Sequence, residues 1–279
     1  MKDVIQKKLE SYECQSSDDE ENAIKEITQE VALYALAKSG FFKEVSFKGG
    51  TCLRIVHGLD RFSEDLDFVT NSPNKHFDLS SYLKIAVPLI NLYGYQFEVD
   101  NSKKDEGNIK KGLLKDNSIK KIMTFKHYSD VRKKIKIKLE VDINPPSGAL
   151  IESDFLNFPT EFSLSVHGLS SLFAGKCHAL LCRNYVKGRD WYDFAWYVNQ
   201  GIEVNYNMLS AALTEMGPWQ GKKLCSDRKW LVKNLSEKII SIDFIDAIND
   251  LTRFIKPEKR AELELWSEKF FLKKVDKLK

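Results

Sequence analysis

A glycine pair followed, one helix later, by two aspartates in an apolar strand constrains this chain more than any other feature. Residues 48–68 read Lys-Gly-Gly-Thr-Cys-Leu-Arg-Ile-Val-His-Gly-Leu-Asp-Arg-Phe-Ser-Glu-Asp-Leu-Asp-Phe. Side chains alternate faces along a strand, so Asp65 and Asp67 point the same way while Leu66 and Phe68 turn to the core. Two neighbouring carboxylates repel each other and call for a compensating cation. Oxygen-rich sites of this kind favour Mg²⁺, usually shared with substrate phosphates. Gly49 and Gly50 allow backbone N–H groups to approach a phosphate at the start of a helix, whose dipole favours anions. One segment thus supplies both halves of a phosphate–metal site.

Around this segment the pattern predicts a mixed α/β first half. Val4, Ile5, Leu9 and Tyr12 recur at helical spacing, and a second amphipathic helix is predicted from about residue 21 to Ser39-Gly40. Val45–Phe47 reads as a short strand, Thr51–His57 as a helix ended by Gly58, and Leu79–Tyr93 as a helix closed by Gly94. Tyr95–Val99 and Ile119–Phe125 read as strands. The cleanest alternation is Lys134–Ile143. Ile135, Ile137, Leu139, Val141 and Ile143 share one face, and Lys134, Lys136, Lys138, Glu140 and Asp142 the other, until Pro145-Pro146 stops the strand. After Val166 the chain reads as helical, with helices predicted over 168–185, 189–199, 207–216, 227–240, 243–254 and 258–278. The natural seam lies near 147–165, which divides the chain into 1–150 and 151–279.

The extended motif closely resembles the AbiEii/AbiGii nucleotidyltransferase toxins of the polymerase-β-like superfamily. The resemblance is carried by Lys48-Gly49-Gly50-Thr51, Arg61-Phe62-Ser63 and Asp65-Leu66-Asp67-Phe68. It implies an α+β fold: a nucleotidyltransferase domain with a small mixed sheet, a helical C-terminal half, and an active-site cleft between the two. It also implies metal-dependent transfer of an NMP from an NTP, with Asp65 and Asp67 as ligands for Mg²⁺ (or Mn²⁺). A third carboxylate is expected from a neighbouring strand. Glu140 and Asp142 are both placed for it, and relatives that read Lys-Leu-Glu-Ile favour Glu140, which stands in Lys138-Leu139-Glu140-Val141.

Further motifs match the family. Lys176, then Lys187-Gly188-Arg189-Asp190 and Asp193, resemble a helical lysine followed by (Lys/Arg)-Asp-x-x-Asp. By analogy Lys176 contacts nucleotide phosphates, a role that suits a lysine point charge. Asp190 then sits near the same site, orienting Lys176 or the acceptor, or else caps its helix. Asp193 lies on the same helix face one turn later. Arg61 is open to two roles, holding a phosphate or bracing a carboxylate, and Ser63 flanks the same strand. Thr51 either donates to a phosphate, as the superfamily does, or caps its helix. The site set is therefore Gly49, Gly50, Thr51, Arg61, Ser63, Asp65, Asp67, Glu140, Lys176 and Asp190.

The rest of the composition limits partners. The net charge is only +3, yet residues 103–138 carry thirteen Lys/Arg against four Asp/Glu. That stretch either tracks a phosphate backbone or is a solvated hairpin whose lysines guard a strand edge. Relatives that modify tRNA make an RNA acceptor the first expectation. A small molecule or a protein side chain is the alternative acceptor, and an NTP-binding regulator with little turnover the non-enzymatic one. The resemblance also implies a bacterial toxin–antitoxin or phage-defence role with a separately encoded antitoxin. No apolar run approaches the roughly 20 residues of a membrane span, and the N-terminus lacks a signal-peptide core. Five scattered cysteines without a CxxC pair point to a reducing cytoplasm and no zinc site. The histidines show no metal-ligand spacing. Trp191, Tyr192, Phe194, Trp196 and Tyr197 read as helix core. Neither a Walker loop nor GxGxxG is present.

Overall fold

The computed structural model describes residues 2–99, 105–116, 118, 123–127 and 135–279. The chain forms two compact units. The first comprises Met1–Gly58, Phe62–Pro145 and Ile151–Val166, and the second Leu59–Arg61, Pro146–Leu150 and His167–Lys279.

The first unit is a mixed sheet with helices against it. Its strands are β1 (Val45–Lys48), β2 (Asp65–Thr70), β3 (Glu98–Val99), β4 (Ile109–Asp116), β5 (Ile135–Asp142), β6 (Ile151–Leu156) and β7 (Phe162–His167). Their order is β3-β4-β5-β2-β1-β7-β6, which puts the aspartate strand β2 in the middle. It runs antiparallel to β1 and parallel to β5. Leu66 and Phe68 are fully buried, while Asp65 and Asp67 stay on the half-exposed face. Each buried side chain contributes about 1.5–3 kcal/mol, so a one-residue slip of β2 would turn its apolar set out of the core. Phe68 packs edge-on against Phe41 at 4.9 Å and lies 5.3 Å from Phe47. β5 shows the same logic: Ile135, Ile137, Leu139 and Val141 are buried, and the residues between them are not.

Three helices lead into this sheet. In α1 (Lys2–Glu10), Ile5 and Leu9 are buried. The second, α2 (Ser17–Lys38), is capped by Ser16, whose hydroxyl accepts from the Asp19 N–H. Asp18, Asp19 and Glu20 complement the positive end of its dipole. The third, α3 (Gly49–Ile55), begins at the glycine pair itself, two residues earlier than the pattern predicts. A fourth, α4 (Leu79–Asn91), packs on α2 and β4.

The stretch 147–165, near which the chain passes between the two units, also holds strands β6 and β7, and β7 pairs in parallel with β1. The strand expected at Ile119–Phe125 falls partly outside the described residues, and Met123–Phe125 is not strand.

The second unit is helical: α5 (Leu169–Cys182), α6 (Gly188–Asn199), α7 (Tyr206–Glu215), α8 (Arg228–Ile240), α9 (Phe244–Thr252) and α10 (Glu268–Val275). The single helix expected over 258–278 is broken. A 3-10 segment, Pro257–Leu265, gives way to α10 because the Ser267 hydroxyl caps the N–H of Phe270. Trp191, Phe194 and Tyr197 are buried, as core residues should be. Among the described residues, no helix is long and apolar enough to cross a membrane.

Candidate active site

The acidic face of the first unit is assembled by three adjacent strands. Across the parallel β2/β5 pair, Asp65 lies opposite Lys138, Asp67 opposite Glu140, and Val69 opposite Asp142. Glu140 is therefore the β5 carboxylate that faces an aspartate. Asp142 is one step further along, and its Oδ2 lies 3.6 Å from Lys48 Nζ. Lys48 itself stands opposite Asp67 on β1.

Gly49 closes the other side. It has φ +81°, and a Cβ built there would lie 2.5 Å from Asp67 Oδ2, so only glycine fits against that carboxylate. Gly50 follows in the first turn of α3. Lys48 is the N-cap of this helix and makes no side-chain capping bond. The Thr51 hydroxyl is buried and donates to the Asp65 carbonyl oxygen. That bond ties α3 to β2, whereas the sequence pointed Thr51 at a phosphate or a cap. The Ser63 carbonyl oxygen accepts from Gln29 Nε2 at 3.1 Å, which anchors the approach to β2.

Lys138 is a participant that strand periodicity did not single out. Its Nζ lies 2.8 Å from Glu140 Oε1. Burial works against its charge, but Glu140, Asp65 and Asp67 together outweigh burial and hold its pKa above the ordinary lysine value. The three carboxylates thus share one internal cation. Among the described residues, no three His, Cys, Asp or Glu side chains converge as a metal-holding group. The donor set nonetheless fits a hard divalent cation in kind: three carboxylates on neighbouring strands, facing the same ammonium.

The second unit carries a buried charge cluster. Arg61 is 2% exposed, and its Nε and Nη2 each donate to Asp193 at 2.6 Å. Of the two roles the sequence left open for Arg61, this geometry is that of a carboxylate brace. Lys176 Nζ lies 2.6 Å from Asp190 Oδ1 and 2.8 Å from Asp193 Oδ2. Burial opposes the Lys176 charge, and the two aspartates override it, raising its pKa. Asp190 is desolvated as well, yet Lys176 and Arg183 pull its pKa down to about 2. Asp190 does not cap α6. The cap position is Lys187, and Asp190 sits in the first turn with its side chain committed to Lys176. Gly188 is required there, since a Cβ would fall 1.7 Å from the Ala247 carbonyl oxygen of α9.

A family profile described as "Nucleotidyl transferase AbiEii toxin, Type IV TA system" matches residues 31–272. The chain belongs to this family. The chain is therefore a nucleotidyltransferase of a toxin family. In fold it is similar to the crystal structure of a "putative nucleotidyltransferase from H. pylori", with a TM-score of 0.50 and 17% identity over 89% of this chain and 95% of that one. JHP933 from Helicobacter pylori also matches, at a TM-score of 0.49 and 18% identity over 88% and 91% of the two chains. No curated protein matches.

In the basic stretch, at least three of the six described lysines lie in ion pairs. Lys110 pairs with Asp105 and Lys111 with Glu106, each at 2.8 Å, and Lys138 pairs with Glu140. Lys103, Lys104, Lys120, Lys121 and residues 132–134 lie outside the described residues.

Proposed function

We propose that the protein transfers an NMP unit from an NTP to an acceptor in a divalent-metal-dependent reaction, with Mg²⁺ the first choice and Mn²⁺ its substitute. An acceptor oxygen forms a bond to the α-phosphorus, the bond from that phosphorus to the bridging oxygen breaks, and pyrophosphate leaves. The observation that carries this reading is the alignment of Asp65 and Asp67 on the open face of the central strand with Glu140 directly across from Asp67. Asp65, Asp67 and Glu140 would hold the ion, which when bound supplies positive charge against the triphosphate and the attacking oxygen. Glu140 is also suited to draw the proton from the acceptor hydroxyl. Gly49 and Gly50 open α3, whose first-turn backbone N–H groups are suited to a phosphate. Lys176, held by Asp190 and Asp193, is assigned to phosphate neutralisation.

The acceptor we put first is RNA, with tRNA foremost. A small-molecule or protein acceptor is the rival, and the ion pairing of Lys110 and Lys111 removes part of the support the basic stretch gave to RNA. The family description as a type IV system supports a separately encoded antitoxin as the functional partner.

The test supplies Mg²⁺ and each α-labelled NTP in turn, with fractionated cellular RNA, protein and small molecules, beside Asp65→Ala/Asp67→Ala. Label is expected in the RNA fraction with wild type only. Equal labelling by the double variant would refute the catalytic assignment, and label confined to another fraction would move the acceptor.

A further inference from the structure

The link between α5 and α6 borders a cavity in the second unit that shares Asp190 with the cluster around Lys176. Its volume is about 80 Å³, and its lining includes Arg183, Tyr185, Lys187, Asp190 and Lys238. One water needs roughly 10–15 Å³ on this measure, so the cavity has room for a group of several heavy atoms.

Its charge is unbalanced. Three cations face one carboxylate, and Asp190 is already engaged by Lys176 at 2.6 Å and Arg183 at 2.9 Å. Among the described residues Lys187 has no ion-pair partner. Burial first, and then Arg189 beside it, press its pKa below the ordinary lysine value, with only Asp190 pulling the other way. A half-buried ammonium with mostly cationic neighbours gains from any anion that enters. Arg183 Nη1 lies 2.9 Å from Asp190 Oδ2, so that end of its guanidinium is committed to the ion pair. Lys238, whose Nζ donates to the Arg183 carbonyl oxygen at 2.7 Å, holds the link in place from α8.

The rim adds an aromatic surface. Tyr185 is 66% exposed, with its ring centroid 5.7 Å from the Arg183 guanidinium carbon. An exposed ring beside clustered cations is the arrangement that stacks a base while the cations hold its phosphate. A carboxylate ligand would want the fork of Arg183, which already faces Asp190. A phosphate, with its several oxygens, can take separate donors from Arg183, Lys187 and Lys238.

We infer that this cavity is a phosphate-binding site for a nucleotide unit whose base stacks on Tyr185, the unit belonging either to a free nucleotide or to a single-stranded RNA chain. Only the choice between these two sources rests on the proposed nucleotidyl transfer to RNA. The site stands on its own geometry.

The test measures binding to the full chain without divalent metal, using pyrophosphate and ATP by calorimetry and a labelled single-stranded RNA hexamer by anisotropy over a salt series. Lys187→Gln/Lys238→Gln should weaken pyrophosphate binding about tenfold or more, since charge-assisted contacts are lost. It should also lower the salt slope for the bound nucleic acid by about 1. Lys187→Arg, which keeps the charge, should retain binding. Tyr185→Ala should leave pyrophosphate alone and weaken the base-bearing ligands by roughly fivefold or more. Loss confined to the hexamer identifies an RNA chain, and loss confined to ATP a free nucleotide. If wild type binds pyrophosphate but no RNA, the RNA-acceptor reading fails while the site survives. Binding of all three ligands by the double variant within twofold of wild type would overturn the site. If thermal melts show the double variant unfolded, Tyr185→Ala decides, and unchanged ATP and hexamer affinity would overturn the proposal equally.

Discussion

A Cβ on Gly49 would lie 2.5 Å from Oδ2 of Asp67 and 2.9 Å from its Cβ. The first glycine of the motif is therefore a steric partner of the second aspartate. Gly49→Ala must push that carboxylate aside and also hold an L-residue at φ +81°, a conformation that costs about 1–2 kcal/mol. A displacement of about 1 Å at a reacting centre lowers rate about 100-fold. The expected result is a loss of that order in nucleotidyl transfer with a urea midpoint only modestly lowered. Full activity in Gly49→Ala would show that Asp67 need not occupy this position.

Lys138 supplies the positive charge that Asp65, Asp67 and Glu140 share. Lys138→Met leaves the three carboxylates facing one another, and the repulsion at this half-exposed face is worth about 1 kcal/mol. The metal-free variant should melt about 2–4 °C below wild type, and MgCl₂ should recover most of that difference. The expected signature is a larger Mg²⁺-induced rise in Tm for the variant than for wild type, read by scanning calorimetry. Equal rises in both proteins would mean that the ion does not bind among these carboxylates.

Arg61 and Asp193 form a buried, two-pronged ion pair, with side chains 3% and 0% exposed. Removing one partner of such a pair strands the other charge, at a cost of about 3–5 kcal/mol. Arg61→Ala should therefore lose most of the stability of the helical unit. Arg61→Lys, which keeps the charge but not the fork, should lose less. A urea midpoint for Arg61→Ala within error of wild type would contradict the brace role and return Arg61 to the candidates for phosphate contact.

The sequence made some of this readable and hid the rest for identifiable reasons. Asp65 and Asp67 announced themselves because period-2 alternation fixes which face each residue takes, with Leu66 and Phe68 holding the strand in register. β5 was legible for the same cause. β6 was not: along Ile151–Leu156 only Leu156 is buried, and Phe155 is 62% exposed. Its strand character comes from its neighbour in the sheet, and no local pattern encodes it. β4 carries three lysines, and its apolar Leu113 and Leu114 are adjacent rather than alternating, so period-2 alternation does not mark its bounds. The Arg61–Asp193 pair spans 132 positions, beyond the reach of any local rule. Lys138 could have been found, since a lysine two residues before Glu140 on one strand face must share its surroundings. Strand alternation put that lysine on the face of Glu140 without giving it a role.

Glu30 gives the protein a pH response separate from the acidic face. It is 7% exposed on α2. Burial raises its pKa to about 7 despite the pull of Lys8, whose Nζ lies 3.2 Å away. A carboxyl whose folded pKa exceeds its unfolded value binds more protons in the native state. Its contribution to stability is complete below about pH 4.5 and is lost as pH rises through about 7. Glu30→Gln removes that titration while keeping the shape, and the partly exposed Lys8 pair it sacrifices is worth little. The variant should gain on the order of 1–3 kcal/mol over wild type at pH 8 and show no advantage at pH 4. Urea unfolding at a series of pH values measures the difference. A wild-type minus variant curve that stays flat between pH 4 and pH 8 would mean that Glu30 titrates like an ordinary surface carboxylate.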